Sequence, residues 1–361
     1  MNDVVLDRRR GVTVGPGRRV FIVAEAGVNH NGRLSLAKRL VDEAVRAGAD
    51  AVKFQTFRSE LVVSPSTPLA EYQERNTGRR DRQVDMLRAL ELKAADYAVL
   101  RTYCRRKGIM FLSTPFDEPS VDLLDALDVP AFKISSGDVT NVPLLERVAS
   151  RKRPVILSTG MSSLAEVKAA VRTLRRAGCP GVILLHCVTN YPSDPADANL
   201  RAIPAMAKAT RCPVGLSDHS LGVTQAVASV ALGACVIEKH FTLDSRMEGP
   251  DHRASLEPDE LALLVRSVRE VESALGDGVK RAVRSERGNL RLGRRSLHWS
   301  RDLPAGQIIR EGDLVCLCPG TGMAPALKKT VLGCRVTHPV KRLAMVRRRD
   351  LSSRRPAEQP S

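Results

Sequence analysis

The sequence predicts an α/β fold: a (β/α)8 barrel followed by a small C-terminal β-rich domain. Three observations carry this. Eight short apolar runs recur between residues 20 and 276, each followed by a helical stretch or by a loop long enough to hold one. The runs are almost wholly apolar, which means burial on both faces, as in a parallel sheet covered by helices. Past Gly276 the helical periodicity stops, and short strand candidates appear between turn signals. A doubly wound open sheet shares the alternation, but eight units in about 255 residues match a closed barrel.

Residues 1–19 hold five Arg and two Asp and read as a basic N-terminal extension. They contain no apolar core or cleavage pattern, so a signal peptide is not expected. The barrel occupies 20–276. Its strand candidates are VFIVAEAG (20–27), ADAVKFQTF (49–57), IMFLSTPF (109–116), AFKISS (131–136), PVILSTG (154–160), GVILLHCV (181–188), PVGLSD (213–218) and CVIEKHFT (235–242). LSLAKRLVDEAVRAG, KAADYAVLRTYCRRKG, SLAEVKAAVRTLRRAG and EPDELALLVRSVREVESALG repeat apolar residues at helical spacing. Gly48, Gly108 and Gly178 stand where helix C-termini are expected. Residues 58–92 are too long for one loop and predict a lid or inserted helix over the barrel mouth. A basic linker is expected over 277–291, and the small domain over 292–350, from RRSLHWS, LPAGQII, LVCLCPGTGM and GCRVTHPV. A disordered basic tail is expected over 351–361.

Of the 361 residues, 43% are hydrophobic, enough for a full core. No apolar run of about 18 residues exists, so no membrane-spanning helix is predicted. The net charge of +17 is concentrated at the C-terminal end, where residues 280–361 hold 19 Lys+Arg against 6 Asp+Glu. That segment has one aromatic, Trp299, and nucleic-acid recognition would want basic residues interleaved with aromatics or groove-reading elements. The basic ends therefore read as a solvated surface, and no specific nucleic acid is expected. The eight cysteines are scattered, with no C-x-x-C pair, which fits reduced thiols in the cytoplasm.

Active sites of (β/α)8 barrels lie at the C-terminal ends of the strands. Polar residues gather there on every strand candidate: Glu25 and Asn29, Lys53 and Gln55, Thr114 and Phe116, Lys133, Ser135, Ser136 and Asp138, Ser158 and Thr159, Cys187 and Tyr191, Asp218 and His219, Glu238, Lys239 and His240. Alternation puts Lys53 and Gln55 on one face with Phe54 opposed, and Glu238 and His240 on one face with Lys239 opposed. His219 and His240 end neighbouring runs, where strand spacing is about 5 Å. Two imidazoles there could share one divalent ion, or each could simply be hydrogen-bonded; Mn²⁺, Fe²⁺ or Zn²⁺ suits imidazole better than Mg²⁺. Lys53 and Lys133 are open to a Schiff-base role, to an anion clamp beside the serines, or to snorkelling at the rim.

Nine strings, taken together and in order, are similar to the sialic acid synthase family. They are AEAGVNHNG (24–32), VKFQTF (52–57), STPFD (113–117), FKISSGDVTNVPLLE (132–146), ILSTGMS (156–162), LHCVTNYP (185–192), GLSDHS (215–220), IEKHFTL (237–243) and GPDHRASLEPDEL (249–261). RRSLHWSRDLPAGQIIREGDL followed by PGTGMAP resembles that family's antifreeze-like (SAF) domain. The resemblance implies condensation of phosphoenolpyruvate with an N-acylated mannosamine-like aldose, giving a nonulosonic acid and phosphate. It implies a divalent metal on His219 and His240, Mn²⁺ first, with Mg²⁺ or Co²⁺ as alternatives. Lys53, Lys133, Ser136, Ser158, Ser217 and Tyr191 would hold phosphoenolpyruvate. Glu25, Gln55, Thr114, Phe116 and Asp251 would meet the sugar or organise its loop. Glu25, Lys53, Asp138 and Glu238 form the candidate catalytic set; Asp138 stands where many relatives have Glu and could direct water or a proton. A domain-swapped homodimer is also implied.

Two departures bear on the acceptor. The family usually places Arg before the P-G of the small domain, where this chain has Cys318, and the Asn of some relatives is Thr189, with Asn190 displaced by one. Legionaminate-, pseudaminate- or deaminated-type acceptors thus stay open. A Schiff-base aldolase on Lys133 and a non-catalytic polyanion-binding barrel are the competing readings.

Overall fold

The computed structural model describes residues 3–78 and 82–352. It divides into two compact units, one ending at Gly276 and the other starting at Asp277.

The first unit opens with a hairpin of β1 (Val4–Asp7) and β2 (Val12–Val14), paired Val4 with Val14 and Val5 with Thr13. Eight parallel strands follow: β3 (Phe21–Gly27), β4 (Ala51–Thr56), β5 (Met110–Pro115), β6 (Phe132–Ile134), β7 (Val155–Ser158), β8 (Val182–His186), β9 (Val214–Asp218) and β10 (Val236–His240). Each lies inside one of the eight apolar runs. The ladder runs β5-β4-β3-β10-β9-β8-β7-β6, so the first barrel strand pairs with the last and the sheet curls into a (β/α)8 barrel. The connections carry α1 (Leu34–Ala47), α2 (Ser59–Val62), α3 (Glu71–Thr77), α4 (Gln83–Leu90), α5 (Ala94–Lys107), α6 (Glu118–Ala126), α7 (Val142–Ser150), α8 (Leu164–Arg176), α9 (Ala202–Thr210), α10 (Thr224–Ala231) and α11 (Pro258–Leu275). Gly48 and Gly108 end α1 and α5 in the left-handed region, at φ 81° in both cases, a conformation that costs other residues a clash at Cβ.

Strand alternation divides the core in two. Ile22 and Ala24, Val52 and Phe54, Val155 and Leu157, and Val214 and Leu216 point outward into the layer beneath the helices. Phe21 and Val23, Ala51, Met110 and Leu112, Ala131, Ile156, Ile183 and Leu185, and Val236 point into the barrel, where they pack with Val4, Leu6 and Val14 of the hairpin. Residues 1–19 were expected as a basic N-terminal extension. Within it Val4, Leu6 and Val14 seal the N-terminal end of the barrel, a role hidden by the surrounding arginines. Gly181 marks the seat of the hairpin, since a Cβ there would lie 2.7 Å from Val4 Cγ1.

The segment 58–92, expected as a lid, carries α2, α3 and α4 within its described residues. The first α-helix of the second unit is α12 (Arg287–Gly293), a short helix that crosses the expected boundary at 291/292 between linker and small domain. Antiparallel β11 (Ser296–Trp299) and β12 (Leu314–Leu317) follow, then α13 (Lys328–Val331). LPAGQII and GCRVTHPV contribute only single bridges, such as Leu303 with Val340 and Ile308 with Arg335. Proline at 304 and 339 removes a backbone donor from each, so neither extends into a ladder. Trp299 is fully buried among Leu297, Ile309, Val331, Val336 and Val346. Of the tail expected over 351–361, Leu351 bridges Val336, and Ser352 donates its backbone N–H to Arg335; residues 353–361 lie outside the described residues.

Candidate active site

The inward-facing positions change character at one level of the barrel. Val23 gives way to Glu25, Ala51 to Lys53, Leu112 to Thr114, Ala131 to Lys133, Ile156 to Ser158 and Val236 to Glu238, each two residues further toward the C-terminal end. These side chains floor a cavity of about 290 Å³. Of the residues singled out from sequence, Glu25, Lys53, Gln55, Thr114, Phe116, Lys133, Ser136, Ser158, Thr189, Tyr191, Ser217, His219, Glu238, His240 and Asp251 all line it.

Asp138 does not. It ends a short 3-10 turn, where its carboxylate accepts hydrogen bonds from Ser135 Oγ (2.6 Å) and Asn141 Nδ2 (3.0 Å). These two bonds hold the turn that presents Ser136. In this arrangement Asp138 stands beside the cavity wall and braces that turn.

The floor is a network of buried charges. Lys53 Nζ lies 2.7 Å from Glu25 Oε2 and 3.8 Å from Glu238 Oε2, and donates to Thr114 Oγ1 at 3.1 Å. Lys133 Nζ donates to Ser158 Oγ at 2.6 Å and lies 3.6 Å from Glu238 Oε1, which also accepts from Ser217 Oγ at 3.0 Å. Gln55 Nε2 donates to Glu25 Oε1 at 3.2 Å. Burial opposes ionisation of Glu238, but Lys133, Lys53 and the Ser217 bond outweigh it and hold its pKa below the usual value. Glu25 goes the other way: burial exceeds the pull of Lys53 and raises it to about 7. Asp251 is raised by burial to about 6, against the pull of Lys53. Burial lowers Lys133, with Glu238 opposing, whereas at Lys53 the two glutamates overcome burial and raise it.

Beside the lysines is an anion cradle. Gly160 donates its backbone N–H to Ser136 Oγ at 2.9 Å, and Thr189 Oγ1 is buried without a hydrogen-bond partner. A Cβ on Gly160 would come within 2.2 Å of Thr189 Oγ1 and 3.1 Å of Ser136 Oγ, so glycine keeps this corner open.

His219 and His240 come together, with ring centroids 5.5 Å apart. Tyr191 stacks on His219 at 4.1 Å and meets His240 edge-on at 5.5 Å. His219 Nδ1 bonds the Val188 carbonyl at 2.7 Å, which fixes Nε2 as the lone-pair nitrogen, 3.3 Å from Ser217 Oγ. His240 Nδ1 is buried without a hydrogen-bond partner, 3.8 Å from Asp251 Oδ2. Burial holds His219 at about 4 and His240 well below its ordinary value, so both rings are neutral at pH 7. Two neutral imidazoles, one with an orphaned nitrogen and the other with its tautomer set by a backbone carbonyl, are the donor set a divalent cation takes. Among the described residues no third His, Cys, Asp or Glu completes a protein-only ligand set, so the remaining positions would fall to water or substrate oxygens.

The mouth holds residues that the strand pattern could not supply. Val62, Tyr72, Gln73, Gln83, Met86, Leu87 and Leu90, from the segment 58–92, line the same cavity together with Val28, Phe57 and Pro250. Tyr72 packs 5.0 Å from Tyr191. The sequence signal for them was the length of the segment 58–92, which predicted a lid or inserted helix over the mouth without naming its lining residues.

Comparison with known proteins agrees with this geometry. The NeuB family profile matches residues 40–280. The N,N′-diacetyllegionaminic acid synthase of Legionella pneumophila is 46% identical over 90% of this chain and 92% of its own. The N-acetylneuraminate-9-phosphate synthase of Homo sapiens is 39% identical over 83% of each chain. Among solved structures, an N-acetylneuraminic acid (sialic acid) synthetase of Leptospira borgpetersenii, in complex with citrate, superposes with a TM-score of 0.70 at 37% identity, covering 80% of this chain and 95% of that one. Sequence, fold and relatives converge, and the chain belongs to the NeuB family of sialic acid synthase-type enzymes.

Proposed function

We propose that this enzyme condenses phosphoenolpyruvate with an open-chain, N-acylated mannosamine-type aldose and water, giving a nonulosonic acid and inorganic phosphate. The observation that carries the reading is the adjacency of the lysine–serine anion cradle to the neutral histidine pair in one cavity. Lys133, Ser158, Ser136 and the opening at Gly160 suit the doubly charged phosphate, and Lys53 the neighbouring carboxylate. His219 and His240 would hold a divalent cation, Mn²⁺ first, which would supply Lewis-acid polarisation of the acceptor aldehyde.

The rest falls to the chain's own side chains. The C3 enol carbon of phosphoenolpyruvate bonds to the aldehyde carbon, whose oxygen takes a proton. Water then adds at C2 and loses a proton, and C–O cleavage releases phosphate. Two carboxyls poised near neutrality can move those protons: Asp251, beside His240, and Glu25, held by Lys53 and Gln55. Glu238 keeps both lysines charged and orients them, since it touches both and stays ionised.

A doubly N-acetylated acceptor is the second reading. Val62, Met86, Leu87 and Leu90 give the outer part of the cavity an apolar wall suited to acetyl methyl groups. Among the described residues that line it, Lys53 and Lys133 are the only lysines or arginines, and both sit with carboxylates at the floor, so no described cation of the outer wall meets a phosphorylated sugar. The relative named as an N,N′-diacetyllegionaminic acid synthase supports the same choice.

The test supplies phosphoenolpyruvate, Mn²⁺ and a panel of singly and doubly N-acylated, deaminated and 6-phosphorylated hexoses, with phosphate and keto-acid release measured. Turnover with an N-acylated, unphosphorylated aldose and its loss on chelation are expected. Folded enzyme that turns over none of the panel would sink the proposal, and a preference for the phosphorylated sugar would sink the reading of the wall.

A further inference from the structure

The alternation that sends His219 and His240 into the cavity leaves the residue before each histidine on the opposite face. Those residues are Asp218 and Lys239, and they are register partners across β9 and β10. Lys239 Nζ lies 2.8 Å from Asp218 Oδ2 and donates to the Ser220 carbonyl at 2.5 Å. Asp218 Oδ1 accepts from both the backbone N–H (2.9 Å) and the hydroxyl (2.7 Å) of Ser220. Lys239 is fully buried, and Asp218 is 2% exposed. The pair thus bridges the two strand ends, and through Ser220 it grips His219 from both sides along the chain.

A buried ion pair is poor value as a source of stability, because desolvating two charges offsets their attraction. An apolar pair would fill the same space beneath the helices. What the ion pair adds is direction: three hydrogen bonds and a fixed Nζ–Oδ2 contact set the distance and twist between two strand termini.

We propose that Asp218 and Lys239 are positioning residues that set the spacing and orientation of His219 and His240, and thereby the affinity of that histidine pair for a divalent cation. The inference rests on the reading that the two imidazoles hold such a cation. Neither residue touches substrate; both act through the backbone of the strands that bear the histidines.

The experiment measures Mn²⁺ binding in the absence of substrates, from the loss of the free-ion electron paramagnetic resonance signal. It compares the full-length wild type, H219A, the double variant D218N/K239M and the milder S220A. Wild type is expected to bind Mn²⁺ and H219A to lose binding. The double variant should bind about 10- to 100-fold more weakly, the range for outer-shell partners of metal ligands. Its urea midpoint should stay near that of wild type, because removing both charges together leaves neither uncompensated. S220A keeps both charges and should weaken Mn²⁺ by about 3-fold or more, a fraction of that outer-shell range, and it decides the matter if the double variant does not fold. Unchanged Mn²⁺ affinity in the folded double variant, or in S220A should the double variant not fold, overturns the positioning role while leaving the histidine site standing. Absence of Mn²⁺ binding in wild type itself instead removes the cation reading on which the inference depends.

Discussion

The two ends of the barrel use the same strands for opposite ends. Toward the N-terminal side the inward residues are Phe21, Val23, Ala51, Met110, Ile156, Ile183 and Val236, closed off by Leu6 and its hairpin neighbours. Nearer the C-terminal ends of the strands the inward positions carry Glu25, Lys53, Lys133, Ser158 and Glu238. The lower half gains free energy by excluding water from apolar surface. The upper half spends some of that gain to hold four charged groups out of water. The lesson is that the sealed, apolar half is what makes the charged half affordable and rigid, since a lysine is kept in place by packing beneath it as well as by its partners.

The first way to break this division is at the mouth. Lys133→Met removes the cation that faces Ser158 and Glu238 while keeping an unbranched chain of similar length. The expected outcome is a loss of about 10³-fold in kcat/KM for phosphoenolpyruvate, roughly 4 kcal/mol of transition-state stabilisation, in a protein that still unfolds cooperatively. Steady-state kinetics alongside a urea titration checks this. A variant with near-normal kcat/KM would remove Lys133 from the anion site.

The complementary cut is at the base. Leu6 is 2% exposed and packs in the inward cluster. Leu6→Ala should cost about 3 kcal/mol of stability through lost burial and the cavity left behind, with kcat/KM unchanged at 25 °C. If activity fell in step with stability, the two halves would not be separable in the way argued here.

The smallest effect concerns protons. His30 is buried, with its Nε2 unpartnered and its pKa lowered by burial to about 4. Between about pH 6.5 and 4 the unfolded state takes up a proton that the folded state refuses, so stability falls as the pH drops through that window. Glu25 and Asp251, raised to about 7 and 6, contribute with the opposite sign, because their folded forms hold protons that the unfolded chain has released. Comparing wild type with His30→Gln leaves those carboxyls common to both. In chelator-treated samples the variant should show a shallower loss of stability on acidification, by at most about 1.4 kcal/mol per pH unit, read from urea midpoints at several pH values. Parallel curves would show that His30 is protonated alike in both states.

Much of this was legible before any coordinates. The eight strands lie inside eight apolar runs, because burial on both faces leaves a compositional mark that survives without tertiary information. The alternation in VKFQTF and IEKHF sorted Lys53 from Phe54 and His240 from Lys239, since a strand's geometry is fixed by its own backbone. The motif resemblance named fifteen residues that meet in one cavity. What the sequence did not show at Asp138 is its turn: a carboxylate past a strand end looks the same in sequence whether it lines the cavity or, as here, accepts from Ser135 and Asn141.

The sequence by itself determined the order of strands and helices, the faces of the strands and the chemical types at the barrel mouth, because each of these is set by neighbours within a few residues. Only the tertiary structure decided that an arginine-rich N-terminus folds into a plug, that Val62, Tyr72, Met86 and Leu90 wall the cavity, and that Asp218 pairs with Lys239 behind the histidines. Those arrangements depend on contacts between segments far apart in the chain, and the pH behaviour of Glu25 and His219 depends on burial that exists only once those segments have met.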